Sequence, residues 1–96
     1  MNISIDNLKR LMRQGKINLI DIRSSSRYAK GSIEGAVNIP ADKLINAPGK
    51  YLSFSHDYYL FCEHGYTSKK VSVFLNKLGY HVYSVEGGFS LYNKKR

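Results

Sequence analysis

The sequence predicts an α/β fold, an open, mostly parallel five-stranded sheet with helices on both faces. Three observations carry that expectation. Apolar runs of strand length alternate with segments of helical spacing along the 96 residues. The clearest pair is Tyr58–Phe61, a short aromatic and aliphatic run, followed by Val71, Phe74, Leu75 and Leu78 at the i, i+3, i+4, i+7 spacing of one helix face. Glycine and proline punctuate the chain between these segments, at Gly15, Gly31, Gly35, Pro40, Pro48, Gly79 and Gly87. A chain of 96 residues makes one domain, spanning 1–96, near the lower end of what a single core supports without staples.

Taken in order, Ile3-Ser4-Ile5 is expected as a short edge strand. Asp6 is the expected N-cap of a helix whose apolar face is Leu8, Leu11 and Met12 and which ends at Gly15. Ile17–Ile22 is the second strand, apolar except for Asn18 and Asp21. A carboxylate inside such a run needs partners, so Asp21 is expected to accept hydrogen bonds from neighbouring loop amides. Arg23 leaves the strand end and is expected to pair structurally with an acid. Ser24-Ser25-Ser26 is a loop with capping capacity, and Arg27–Lys30 supplies at most one helical turn. Ala36–Ile39 is the third strand, stopped by Pro40, and Ala41–Asn46 a short helix. Ala47-Pro48-Gly49 has the chemistry of a turn. After the strand and helix around residue 62, Gly79 is the expected C-cap. Tyr80–Val85 makes the fifth strand, and Phe89–Arg96 a final short helix with a basic end.

The chemistry centres on Cys62, the only cysteine, at the end of the Tyr58–Phe61 strand. Glu63-His64-Gly65-Tyr66-Thr67-Ser68 then closes onto the helix, with Thr67 and Ser68 as the hydroxyls suited to cap it. A loop of this kind turns backbone N–H groups inward, and the helix N-terminus adds about half a positive charge. Such a ring suits a nucleophilic thiolate and an anion bonded to it. The plain alternative, a small buried hydrophobe at a strand end, needs no glycine-containing turn after it.

Cys62-Glu63-His64-Gly65-Tyr66-Thr67-Ser68 resembles the active-site loop of rhodanese-like sulfurtransferases, Cys-x-x-Gly-x-(Arg or Thr)-Ser. The resemblance spans nearly the whole chain. Ile20-Asp21-Ile22-Arg23 is similar to the family's Asp-Val-Arg strand, and Gly31–Pro40 to its Gly-His-Ile-Pro-Gly-Ala-x-Asn-Ile-Pro segment. Glu86-Gly87-Gly88 is similar to its closing Glu-Gly-Gly stretch. The family pattern differs at Arg27 (usually glutamate), Ser32 (often histidine), Glu34 (proline) and Tyr92 (tryptophan).

The resemblance implies the rhodanese-like strand order, with the first strand at one edge, then the fifth, fourth, second and third. It implies sulfane-sulfur transfer through a Cys62 persulfide, using a small anionic donor such as thiosulfate and no metal or organic cofactor. The loop Glu63, His64, Gly65, Tyr66 and Thr67 would bind the anion, with Asp21, Arg23 and Ser68 in support. Glu63 is odd beside an anion site and is expected to point to solvent. A persulfide carrier delivering sulfur to a partner protein needs the same residues. Cysteine phosphatases and arsenate reductases of similar loop design use Cys-x5-Arg, and Ser68 stands at that arginine. A thioredoxin-type mechanism lacks its second cysteine.

Fifteen basic and seven acidic residues give a net charge of +8, with a pI near 9.7. That balance points to anionic substrates or an acidic acceptor protein. Nucleic acid is disfavoured, because neither clustered stacking aromatics nor a nucleic-acid-binding signature accompanies the charge. Lys69 and Lys70 lie in the first turn of the helix after Cys62, where positive charge opposes the macrodipole, and are expected to attract such partners. One cysteine, no apolar leader behind Met1 and no long apolar run predict a cytoplasmic protein with no membrane span.

Overall fold

The computed structural model describes residues 1–96. Its five strands are β1 (Asn2–Ile3), β2 (Asn18–Asp21), β3 (Val37–Asn38), β4 (Asp57–Phe61) and β5 (His81–Val85). They form one sheet in the order β1-β5-β4-β2-β3, and every neighbouring pair is parallel. The strand order is the one the resemblance implied. Six helices complete the chain: α1 (Ile5–Gln14), α2 (Ser25–Lys30), α3 (Ala41–Asn46), α4 (Pro48–Tyr51), α5 (Tyr66–Lys77) and α6 (Gly88–Lys94). No helix is long and apolar enough to cross a membrane.

Side-chain alternation along the strands divides the core between the two faces. Ile20, Ile22, Tyr58, Leu60, Cys62 and Val82 pack with Leu44 of α3 and with Val71 and Leu75 of α5. Leu19, Phe61 and Val85 pack on the opposite face with Ile5 and Leu8 of α1, joined by Tyr28 of α2 and Phe89 of α6. Asp21 pairs with Phe61 in register, so the residues after β2 and β4 leave the sheet side by side. The amide of Ile22 donates to the Phe61 carbonyl at 3.0 Å and prolongs that pairing to the edge of the loop. Ligands of open parallel sheets bind at this carboxyl end.

Several boundaries differ from the sequence reading. Ser4, not Asp6, caps α1, because its extended backbone (φ −74°, ψ 159°) lets the hydroxyl accept from the Asn7 amide at 3.1 Å. Ile5 thereby enters the helix and is buried, and β1 shortens. Pro48 begins a short helix rather than a turn, since a proline at the first helical position has no amide to lose. The buried stripe of α5 is Ser68, Val71, Ser72 and Leu75, whereas Phe74 and Leu78 face outward. The stripe keeps the expected helical spacing but is rotated, for a reason that lies at Cys62.

Candidate active site

Cys62 follows β4 and is 6% exposed, its side chain on the α5 face of the sheet. Its Sγ accepts hydrogen bonds from the amides of Gly65, at 3.1 Å, and Ser68, at 3.3 Å. Gly65 is the N-cap of α5 and has a left-handed backbone, with φ 95°. A side chain added there would crowd the Gly87 amide at 3.0 Å, so glycine serves both the turn and the close approach. Ser68 is the third residue of the helix, and its amide is the one a capping hydroxyl ordinarily satisfies. Here the cysteine sulfur takes that place. Thr67 and Ser68 lie inside the helix and make no cap, which corrects the sequence reading.

Holding the Ser68 amide at the sulfur turns Ser68 inward and fixes the rotation of the whole helix. The Cys62 thiol lies 3.5 Å from Ser68 Oγ as a donor. Ser68 Oγ donates to the Gly65 carbonyl at 3.4 Å and lies 2.7 Å from Ser84 Oγ on β5. This polar file of Cys62, Ser68 and Ser84 is buried between α5 and the sheet. Ser84 escaped the sequence reading. Its only signal was a hydroxyl on the face of β5 that Val82 also occupies.

On the other face of the sheet, Arg23 ties the loop down. Its guanidinium donates to both Asp21 oxygens, with the shortest distance 2.8 Å, and to the Gly31 carbonyl at 2.6 Å. Asp21 also accepts from the Arg23 amide at 2.9 Å and from the Ser32 hydroxyl at 2.8 Å. The Asp21 carboxylate, ahead of the opposing effect of burial, holds the Arg23 pKa above its ordinary value. The Arg23 guanidinium also lies 4.3 Å from the ring centroid of Phe89. A buried charge so paired is strongly destabilising only when one partner is lost.

Glu63 completes this network, contrary to the expectation that it points to solvent. Its carboxylate accepts from Arg23 at 3.1 Å and from Arg27 at 3.3 Å. Burying Arg23 at the strand end leaves one arm of its fork without an acid, and Glu63 fills it. The loop backbone is gripped as well. The amides of Phe89 and Ser90 donate to the carbonyls of Cys62 and Glu63, both at 2.9 Å. Gly88 has φ 62°, and a Cβ there would overlap those same carbonyls. The sequence marked this stretch as a turn; that it is the back wall of the loop was not visible.

His64, Tyr66 and Thr67 are exposed at the rim, with Tyr66 the most open. A cleft of about 300 Å³ beside them is lined by His64, Gly65, Tyr66, Lys69, Ser84, Glu86 and Gly87, among others. The structure thus gathers Cys62, Gly65 and Ser68 around the sulfur, and Asp21, Arg23 and Glu63 into the support behind it. The other three residues of the expected set, His64, Tyr66 and Thr67, are exposed on the outside of the loop.

The model of the family described as Rhodanese-like domain matches residues 4–95. A thiosulfate sulfurtransferase, GlpE, of Shewanella oneidensis is 27% identical over 94 residues, covering 97% of this chain and 92% of its own. The crystal structure of a rhodanese-like domain protein from Staphylococcus aureus superposes with a TM-score of 0.87 at 31% identity, covering 96% of this chain and 91% of that one. The human single-domain sulfurtransferase TSTD1 gives a TM-score of 0.88 at 25% identity, over 99% of this chain and 96% of its own.

Proposed function

The chain belongs to the rhodanese-like domain family, and from that membership and the loop geometry we propose that it transfers sulfane sulfur through a persulfide on Cys62. The observation that carries this reading is the pair of backbone amides, Gly65 and Ser68, directed at Sγ from the start of α5. They favour negative charge on sulfur at a helix N-terminus. The Cys62 thiolate attacks the outer sulfur of thiosulfate; a new S–S bond forms, the old one breaks, and sulfite leaves with its electron pair. The persulfide's terminal sulfur then carries the negative charge, within reach of the loop amides from Glu63 to Thr67. A nucleophile such as cyanide or a thiolate next attacks that sulfur and expels the Cys62 thiolate. Sulfur and charge balance in both steps, and no external oxidant enters.

Thiosulfate enters the proposal because the relative from Shewanella oneidensis is named for it and because the chain carries net charge +8. His64, Tyr66 and Thr67 meet the incoming anion at the mouth. Asp21, Arg23 and Glu63 act as positioning residues, since none of them is bonded to the sulfur. Steady-state thiocyanate formation from thiosulfate and cyanide tests the reading. Covalent transfer in two halves gives parallel double-reciprocal lines when one substrate is varied at several levels of the other. Intersecting lines, indicating a ternary complex, would refute the persulfide route.

A further inference from the structure

The outward face of α5 is unlike an ordinary solvated helix face. Tyr66, Val73, Phe74 and Leu78 at its margin are 78%, 44%, 41% and 47% exposed, while Ser68 and Ser72 occupy the interior. At a helical turn of 100° per residue, Tyr66, Lys70, Val73, Phe74 and Lys77 fall on one side, with Lys69 at its edge. The helix sequence YTSKKVSVFLNK contains no acid to neutralise these lysines. The result is a stripe of apolar side chains interleaved with positive charge. It starts at Tyr66, at the end of the loop that follows Cys62, and runs roughly 16 Å down the helix to Lys77.

We propose that this stripe is the docking surface for an acidic partner protein that presents a thiol to the Cys62 persulfide. The inference rests on the sulfur-transfer reading and adds the partner to it. Complementary charge selects the occupant: a negative segment with apolar anchors neutralises the lysines and covers Val73 and Phe74. A second copy of this chain is disfavoured, because two such faces set lysines against lysines within a molecule of net charge +8. The continuity of the stripe with Tyr66 places a docked segment beside the loop, so its thiol reaches the outer sulfur without a long tether. The partner thiolate attacks that sulfur, the Cys62–sulfur bond breaks, and Cys62 returns to a thiolate as the partner gains the persulfide.

The test uses two short synthetic peptides, each with one cysteine and a Leu and a Phe four residues apart, one rich in glutamate and one rich in lysine. Protein loaded with sulfur should react at least about tenfold faster with the acidic peptide at low salt. Raising the salt should erase that preference. Lys77→Glu and Phe74→Ser should each reduce it while leaving transfer to 2-mercaptoethanol unchanged. Independently of sulfur chemistry, a labelled cysteine-free acidic peptide should bind the Cys62→Ser protein, with weaker binding in the Lys77→Glu background. Equal rates and equal binding for the two peptides would overturn the docking proposal, as would a preference that survives both substitutions. Acidic-peptide binding by wild-type protein that takes up no sulfur from thiosulfate would refute sulfur transfer and leave the docking surface standing.

Discussion

Glu63 is the first residue of the loop that wraps Cys62, yet its carboxylate is turned away from the sulfur onto Arg23, 3.1 Å distant. A negative side chain is thereby neutralised beside the cysteine. Arg23 is in turn anchored by Asp21 at 2.8 Å, so the charge chain runs from the sheet interior to the loop.

The two acids of that chain should differ sharply in consequence. Asp21 is fully buried, and Asp21→Asn leaves the Arg23 charge poorly compensated, at a cost of about 3–5 kcal/mol. Glu63 is partly open and its second partner, Arg27, is largely exposed, so Glu63→Gln should cost about 1 kcal/mol or less. Urea denaturation of the two variants checks the order. Equal losses would mean that Glu63 anchors Arg23 as firmly as Asp21 does.

Gly88→Ala should damage stability and activity together. The new methyl meets the carbonyls of Cys62 and Glu63, and φ 62° suits few residues other than glycine. A loss of about 3 kcal/mol, or more than roughly 10 °C in Tm, is expected. Thiocyanate formation, assayed well below the lowered Tm, should also fall, because the bond from Phe89 to the Cys62 carbonyl no longer holds the loop.

Ser72→Ala should stabilise the protein. Ser72 is 1% exposed, and its hydroxyl finds no hydrogen-bond partner between α5 and the sheet. Replacing it relieves an unmet polar group and adds a better helix former, together about 1 kcal/mol or some 4 °C in Tm. A lower Tm would show that the hydroxyl is satisfied in solution.

Alkaline titration should single out Tyr59. Burial, followed by the nearby Asp57 and Tyr83, raises its pKa above the ordinary 10.0. The folded state therefore keeps this proton where the unfolded chain has lost it. Its stabilising contribution is complete below about pH 10 and declines as pH rises through the folded value. Tyr59→Phe should remove a component of the ultraviolet phenolate titration that ionises above the ordinary 10.0 and flatten the stability loss above about pH 10. An unchanged titration curve would contradict the assignment.

The legible parts of the sequence were those with a local signature. The Tyr58–Phe61 run, the glycine turn and the spacing of Val71 and Leu75 located the strand, loop and helix that present Cys62. The unread parts depend on contacts distant in the chain. Ser68 faces inward because its amide serves the sulfur and its hydroxyl meets Ser84; apolar spacing alone therefore placed Phe74 and Leu78 on the wrong side. Glu63 looked like a solvent residue because its partners, Arg23 and Arg27, precede it by 40 and 36 positions. Ser4 was mistaken for strand because one residue's extended backbone both ends β1 and caps α1.

The central claim, that Cys62 takes up and passes on sulfane sulfur, is most directly tested by intact mass. Wild-type protein incubated with thiosulfate should gain the mass of one sulfur atom, localised to the peptide containing Cys62. Cyanide should then remove it with an equal yield of thiocyanate. Folded Cys62→Ser should show neither change. An unmodified wild-type mass, or a cyanide-labile sulfur that persists in Cys62→Ser, would contradict the mechanism.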